Sequence, residues 1–157
     1  MCNLFSGFCG LVAGVGVFII MLLLAYLMKG RGGGSYDFDA GGEWGEFEKR
    51  LATYIDISKF ILGLASGSIV LLVGSSALHT SAHLPASFAS PLFLLAFSIL
   101  YGILFMVFLT TDYEAYRHKT ADYIPRKYIL NQALGYSSLF CFCTGYAWLI
   151  FIVTRPS

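Results

Sequence analysis

The sequence predicts an all-α polytopic membrane protein, a bundle of four transmembrane helices with an amphipathic cytoplasmic helix before the second span. Of the 157 residues, 57% are hydrophobic and 12% are charged, which is about half the charged share of an average soluble domain. Charge is also unevenly placed, because residues 1–28, 60–111 and 128–154 contain no Asp, Glu, Lys or Arg. This distribution excludes a soluble globule, a disordered chain and a nucleic-acid binder.

The charge-free stretches define the predicted spans, since a helix needs roughly 20 mainly apolar residues to cross a hydrocarbon core about 30 Å thick. The stretch 60–111 is too long for one crossing, and histidines, prolines and serines interrupt it between positions 79 and 91. Its second half starts at Pro91, a residue suited to a first helical turn. Within a single transmembrane domain over residues 1–157, the predicted spans are therefore about 5–28, 60–78, 91–111 and 129–153.

The basic residues predict the orientation, because loops rich in Lys and Arg stay on the cytoplasmic side. Segments 29–59 and 112–128 hold nine of the ten basic residues, and the tail holds only Arg155. We expect these two loops to be cytoplasmic, with both termini and the loop 79–90 on the other side. The first apolar stretch has no basic residue before it and no small-x-small site after it, so we expect it to be retained as an anchor.

Small residues recur at helical spacing in all four spans. Lipid tails are as apolar as leucine, so membrane helices associate largely through close backbone approach at small side chains. We predict packing within the chain at these ridges, with contact between subunits through one of them as the alternative. The predicted packing residues are Gly10, Gly14, Gly63, Gly67, Gly74, Ser98, Gly102, Ser137, Cys141 and Gly145.

Two segments carry aromatic and apolar residues on one side. The stretch from Glu43 to Ser58 has the spacing of an amphipathic helix. Such a helix lies in the headgroup layer, or it packs against the loop 112–128 or another subunit, and its pattern does not separate these placements. The third span carries aromatic residues at i+4 steps. The predicted interface or partner residues are Trp44, Phe47, Leu51, Tyr54, Phe93, Phe97 and Phe105.

An acidic segment in the first predicted loop resembles an EF-hand calcium loop. Asp37, Asp39, Gly42 and Glu48 fall at positions 1, 3, 6 and 12 of such a loop, where carboxylates hold the ion and glycine permits a sharp turn. Position 5 is Gly41, where a ligand side chain is usual. Asp37, Asp39 and Glu48 are the predicted metal ligands, and a solvated acidic loop is the alternative.

A second candidate site contains His79, His83 and Tyr101. The two histidines are four residues apart, and on a helix this spacing presents both rings to one metal or haem-like ligand. Tyr101 adds a hydroxyl near the middle of the third span. These three are the predicted cofactor-binding residues, for a quinone or a pigment, and the identity of the cofactor is left open.

The functional prediction follows from how little chemistry the predicted spans contain. None of them holds an ionisable Asp, Glu, Lys or Arg, which argues against a proton-coupled transporter, a voltage sensor and an intramembrane enzyme. We predict a non-enzymatic accessory, structural or scaffolding subunit of a larger membrane complex or homo-oligomer. Its expected partners are the lipid bilayer and other membrane subunits or copies of itself. The alternatives are an oligomeric channel or membrane-perturbing effector, and a cofactor- or pigment-binding redox subunit.

Overall fold

The computed structural model of the protein describes residues 2–32, 47–74, 86–118 and 125–154. In these ranges the chain forms four long α-helices, and a short 3-10 turn at Ala86–Phe88 precedes the third. The helices are α1 Cys2–Gly32, α2 Phe47–Gly74, α3 Ala89–Arg117 and α4 Pro125–Thr154. Each is long and apolar enough to cross a membrane. The prediction of an all-helical chain with four such helices is confirmed.

Prolines mark the start of the last two helices. Pro91 lies in the first turn of α3, and Pro125 is the first residue of α4. Both positions suit proline, because the missing N–H has no partner in a first turn and the ring fixes φ near its helical value. At its other end α3 continues past the predicted limit of 111 to Arg117, where the His118 N–H donates to the Glu114 carbonyl at 3.0 Å.

The second helix differs from the prediction. It begins at Phe47 and continues without a break to Gly74, a length of 28 residues, so the described part of the predicted amphipathic helix is continuous with the span. Residues 47–62 contain neither glycine nor proline, and nothing in their sequence interrupts the helix. The predicted loop 29–59 is therefore helical at both ends, because α1 continues to Gly32.

The four helices do not contribute equally to the core. Helices α1, α3 and α4 pack against one another, whereas α2 packs chiefly on α3 and scarcely touches α4. The largest buried cluster contains Leu94, Tyr101, Leu134 and Cys141, with α1 side chains packed against it. The fold is thus a three-helix core with α2 on its flank, which leaves a groove between α2 and α4.

Consecutive helices along the chain run in opposite directions. Asp112 of α3 lies beside Lys127 of α4 at one end of the bundle, which we call the Asp112 end. At the other end, the Gly145 end, Gly145 of α4 lies against Leu94 of α3. Helices α2 and α4 run toward the Gly145 end, and α1 and α3 run back.

Candidate functional site

The seam between α3 and α4 is closed by two buried serines. The Ser98 hydroxyl donates to the Ser138 carbonyl at 2.8 Å, and the Ser138 hydroxyl donates to the Ser98 carbonyl at 2.9 Å. A Cβ at Gly102 would lie 3.1 Å from the Ser138 Oγ, and one at Gly145 would lie 3.1 Å from the Leu94 Cβ. Small residues therefore set the separation of the two helices.

The contact between α1 and α3 also depends on glycine. A Cβ at Gly14 would overlap the ring of Phe97, and one at Gly10 would lie 3.0 Å from the Ser90 Cα. The Tyr101 hydroxyl donates to the Gly14 carbonyl at 3.1 Å, and the Tyr101 ring stacks on Phe97 with centroids 5.6 Å apart. Tyr101, a predicted cofactor-binding residue, thus uses its hydroxyl to join two helices.

A buried polar cluster joins α3 to α4 at the Asp112 end. The Lys127 ammonium donates to Asp112 Oδ1 at 2.8 Å, and the Asn131 amide donates to Oδ2 at 3.0 Å. The Asp112 side chain is 9% exposed and that of Lys127 is 43% exposed. Sequence reasoning assigned both charged residues to a loop and missed the cluster. The available signal was Pro125, which suits a first helical turn and would have extended the fourth helix to include Lys127, four residues before Asn131.

The first turns of α2 pack on the end of α3. Phe47 and Leu51 are buried with Leu109, and the Phe47 and Tyr113 ring centroids are 5.5 Å apart. One turn further along, the Tyr54 ring meets Phe105 edge-on at 6.5 Å. The apolar side of the predicted amphipathic segment therefore contacts α3 within the chain.

The opposite side of α2 has no neighbour in the described chain. A Cβ at Gly63, Gly67 or Gly74 would meet no atom within 4 Å, so these predicted packing residues make no contact there, unlike Gly10, Gly14, Gly102 and Gly145. Asp56 and Lys59 form an ion pair at 3.8 Å on this side, with side chains 76% and 66% exposed. We call Asp56, Lys59, Gly63, Gly67 and Gly74 the α2 outer face.

A groove of about 250 Å³ lies between α2 and α4. Its lining combines polar groups on Tyr54, Ser58, Tyr128, Gln132 and Tyr136 with apolar side chains and the ring of Phe105. None of the described residues that line it is charged. Concave features with a few converging polar groups are the usual small-molecule sites.

Comparison with protein families, curated proteins and solved structures finds no match for this chain. The function is therefore argued from the geometry of the helices.

Several predicted site residues lie outside the described part of the chain: Asp37, Asp39, Trp44, His79 and His83. Glu48 belongs to α2, but its side chain is not among those described. The calcium site and the histidine site stay predictions. Among the described residues, no three His, Cys, Asp or Glu side chains lie close enough together to hold a metal ion.

The remaining predicted packing and aromatic residues of α3 and α4 differ in burial and in the helices that they contact. Ser137 and Cys141 are fully buried in the core, and the Ser137 hydroxyl has no hydrogen-bond partner among the described residues. Phe93 is 39% exposed, and its Cβ lies 3.0 Å from the place that a Cβ at Gly10 would occupy. The aromatic residues of α3 thus face different neighbours, because Phe97 packs on α1 and Phe105 lines the groove.

Proposed function

We propose that the protein is a non-catalytic integral membrane subunit that assembles with copies of itself through the α2 outer face. The observation that carries this proposal is a row of glycines and an exposed ion pair on that face, with the exposed apolar side chains of Phe60, Val70 and Leu71 beside them. Lipid-facing surfaces favour large apolar side chains, as α1 shows with Ile20, Leu23 and Leu27 exposed by 56%, 57% and 66%. The glycines let another helix approach closely between these apolar side chains, and the ion pair makes this side of α2 less suited to lipid than the exposed side of α1.

The depth of the ion pair adds to this argument. The contacts of Tyr54 with Phe105 and of Leu62 with Gly102 bracket Asp56 and Lys59 along α3. The pair therefore lies about one helical turn from the middle of the charge-free part of α3. A charge at that depth costs about 2.5–3.5 kcal/mol on insertion scales when it faces lipid. A partner that covers the pair lowers this penalty.

The face is self-complementary. Asp56, Gly63, Gly67 and Gly74 are spaced by seven, four and seven residues, so they share one side of the helix. A two-fold axis parallel to α2 brings the glycines of two copies together, as an isologous interface requires. It also sets Asp56 of each copy within one turn of the other copy's Lys59. Both ion pairs form at once, which favours an identical partner over an unrelated helix.

The proposal includes an orientation. The helix ends at the Asp112 end carry Lys29, Arg31, Lys49, Arg50, Arg117, Arg126 and Lys127, and the basic-loop rule supports a cytoplasmic position for that end. Thiol labelling of single-cysteine variants Lys49→Cys and Ser87→Cys in sealed vesicles tests it. Equal access of an impermeant reagent to both sites from one side would contradict it.

The test of self-association compares Gly67→Ile with Gly16→Ile. A Cβ added at either glycine would meet no atom within 4 Å in the described chain, but only Gly67 lies on the α2 outer face. We expect the unaltered protein to be a dimer by light scattering in mild detergent. Gly67→Ile should shift it to a monomer at unchanged thermal stability, and Gly16→Ile should leave the dimer intact.

Exchanging the charges of Asp56 and Lys59 tests self-association without adding bulk to the glycines of the α2 outer face. Asp56→Lys and Lys59→Asp should each weaken the dimer, and the double exchange should restore it because the pairs re-form with reversed sign. A strictly monomeric unaltered protein would overturn the proposal. So would a dimer that Gly67→Ile does not weaken, or a different membrane protein that co-purifies in place of the second copy. The channel and the pigment-binding alternatives stay predictions of the sequence.

A further inference from the structure

The groove between α2 and α4 changes in polarity along its length. Tyr54 and Gln132 bring a hydroxyl and an amide to the part nearer the Asp112 end, while Ile61 and Leu139 line the part nearer the middle of the helices. A polar end followed by an apolar end is the pattern of an amphiphile that enters from the bilayer. The groove lies on the opposite side of α2 from the α2 outer face, so a ligand can bind in the groove whether or not the protein forms a dimer.

The floor of the groove is aromatic. The ring of Phe105 lies next to Gly135, where a Cβ would be 3.3 Å from two ring carbons. The Tyr54 ring meets Phe105 edge-on, with an interplanar angle of 76°. Any side chain larger than hydrogen at position 135 would press on the Phe105 ring. Such an aromatic surface stacks favourably with a flat ring in an offset arrangement.

We propose that this groove binds a membrane-soluble quinone. A quinone has a planar ring for Phe105, carbonyl oxygens that accept from the Tyr54 hydroxyl and the Gln132 amide, and an apolar tail for the Ile61 and Leu139 end. The groove volume of about 250 Å³ equals that of roughly eight waters at about 30 Å³ each. This space holds a substituted ring and the start of the tail, and the rest of the tail extends into the bilayer.

The lining separates this ligand from the common lipids. A phospholipid headgroup carries a phosphate, and none of the described lining residues offers a cation to pair with it. A sterol brings a single hydroxyl, which pairs with only one of the polar groups of the lining. A neutral ring with two carbonyl acceptors satisfies both the Tyr54 hydroxyl and the Gln132 amide, and unsatisfied donors lower affinity.

The experiment measures equilibrium binding of a benzoquinone with a ten-carbon tail to the purified full chain by calorimetry. Tyr54→Phe should weaken binding about fivefold, since one net hydrogen bond is lost, and Gln132→Leu should do the same. Tyr146→Phe is the matched control, because Tyr146 and Tyr54 are both 40% exposed and Tyr146 does not line the groove. Its affinity should be unchanged.

Two further arms complete the test. Decylbenzene has a planar six-membered ring and the same tail length without carbonyls, and it should bind at least tenfold more weakly. Leu139→Trp fills the apolar end of the groove and should abolish quinone binding while the thermal stability of the unliganded protein is kept. The proposal is overturned if the quinone does not bind, if decylbenzene binds equally well, or if Tyr54→Phe and Tyr146→Phe bind alike. Retention of a phospholipid that Leu139→Trp displaces would also overturn it.

Discussion

The contact between α1 and α3 makes a sharp prediction for Gly14→Ala. The added methyl group would overlap the ring of Phe97. That ring cannot turn aside freely, because it stacks on Tyr101 with centroids 5.6 Å apart. Tyr101 in turn donates a hydrogen bond of 3.1 Å to the Gly14 carbonyl. The substitution must therefore move α1 away from α3 and lengthen this bond.

Three contributions give the magnitude. Overpacking of a well-packed site destabilises by about 1–3 kcal/mol, and a lost hydrogen bond between membrane helices adds about 0.6 kcal/mol. Alanine favours the helix over glycine by about 1 kcal/mol, which opposes them. We expect a net destabilisation of about 0.5–2.5 kcal/mol. Gly16→Ala on the same helix is the control, because its Cβ meets no atom within 4 Å. It should stabilise by up to about 1 kcal/mol.

The reactivity of Cys141 provides the assay. This side chain is fully buried and belongs to the same cluster as Tyr101, so a maleimide reaches it only when the bundle opens. In a background with the other three cysteines changed to serine, the labelling rate against denaturant gives the free energy of opening. The two variants should differ by about 1.5–3.5 kcal/mol. The reasoning fails if Gly14→Ala is as stable as Gly16→Ala.

Further predictions concern the buried polar groups. Ser137→Ala removes a buried hydroxyl with no partner among the described residues and should be neutral or stabilising by up to about 1 kcal/mol. Ser138→Ala removes a hydrogen bond of 2.9 Å to α3 and should destabilise by about 0.6–1.7 kcal/mol. Thermal unfolding in detergent distinguishes them, and the opposite order would refute the hydrogen-bond assignment. Asp112→Ala deprives its two α4 partners of their acceptor and should destabilise by about 1–3 kcal/mol. The exposed Glu114, changed to alanine, should alter stability by less than about 0.5 kcal/mol.

The helix bounds show where sequence reasoning succeeds and where it stops. The first, third and fourth predicted spans each lie within one long helix, because an apolar run of bilayer length has few other stable forms. Residues 47–58 were predicted to be helical from their amphipathic spacing, but they were assigned to the loop 29–59 because they carry charges. They belong to α2, and Phe47 and Leu51 pack on Leu109 of α3. Charge counts alone do not register that contact.

The glycine motifs show a second limit. Gly10 and Gly14 on α1 have the same spacing as Gly63 and Gly67 on α2. The first pair touches α3, and the second has open space around it. The i+4 spacing of two glycines shows only that one side of the helix lacks side chains at those positions. Which helix lies against that side depends on how all four are arranged.

Composition and the placement of charge by themselves determined that the chain is helical and has four apolar segments of membrane length, because these properties are local to each segment. The tertiary structure alone decided that α2 lies on the flank of a three-helix core, that Asp112 meets Lys127 and Asn131, and that Tyr54 and Gln132 share a groove. Those pairings join residues on different helices, and their positions follow from packing rather than from any pattern along the chain.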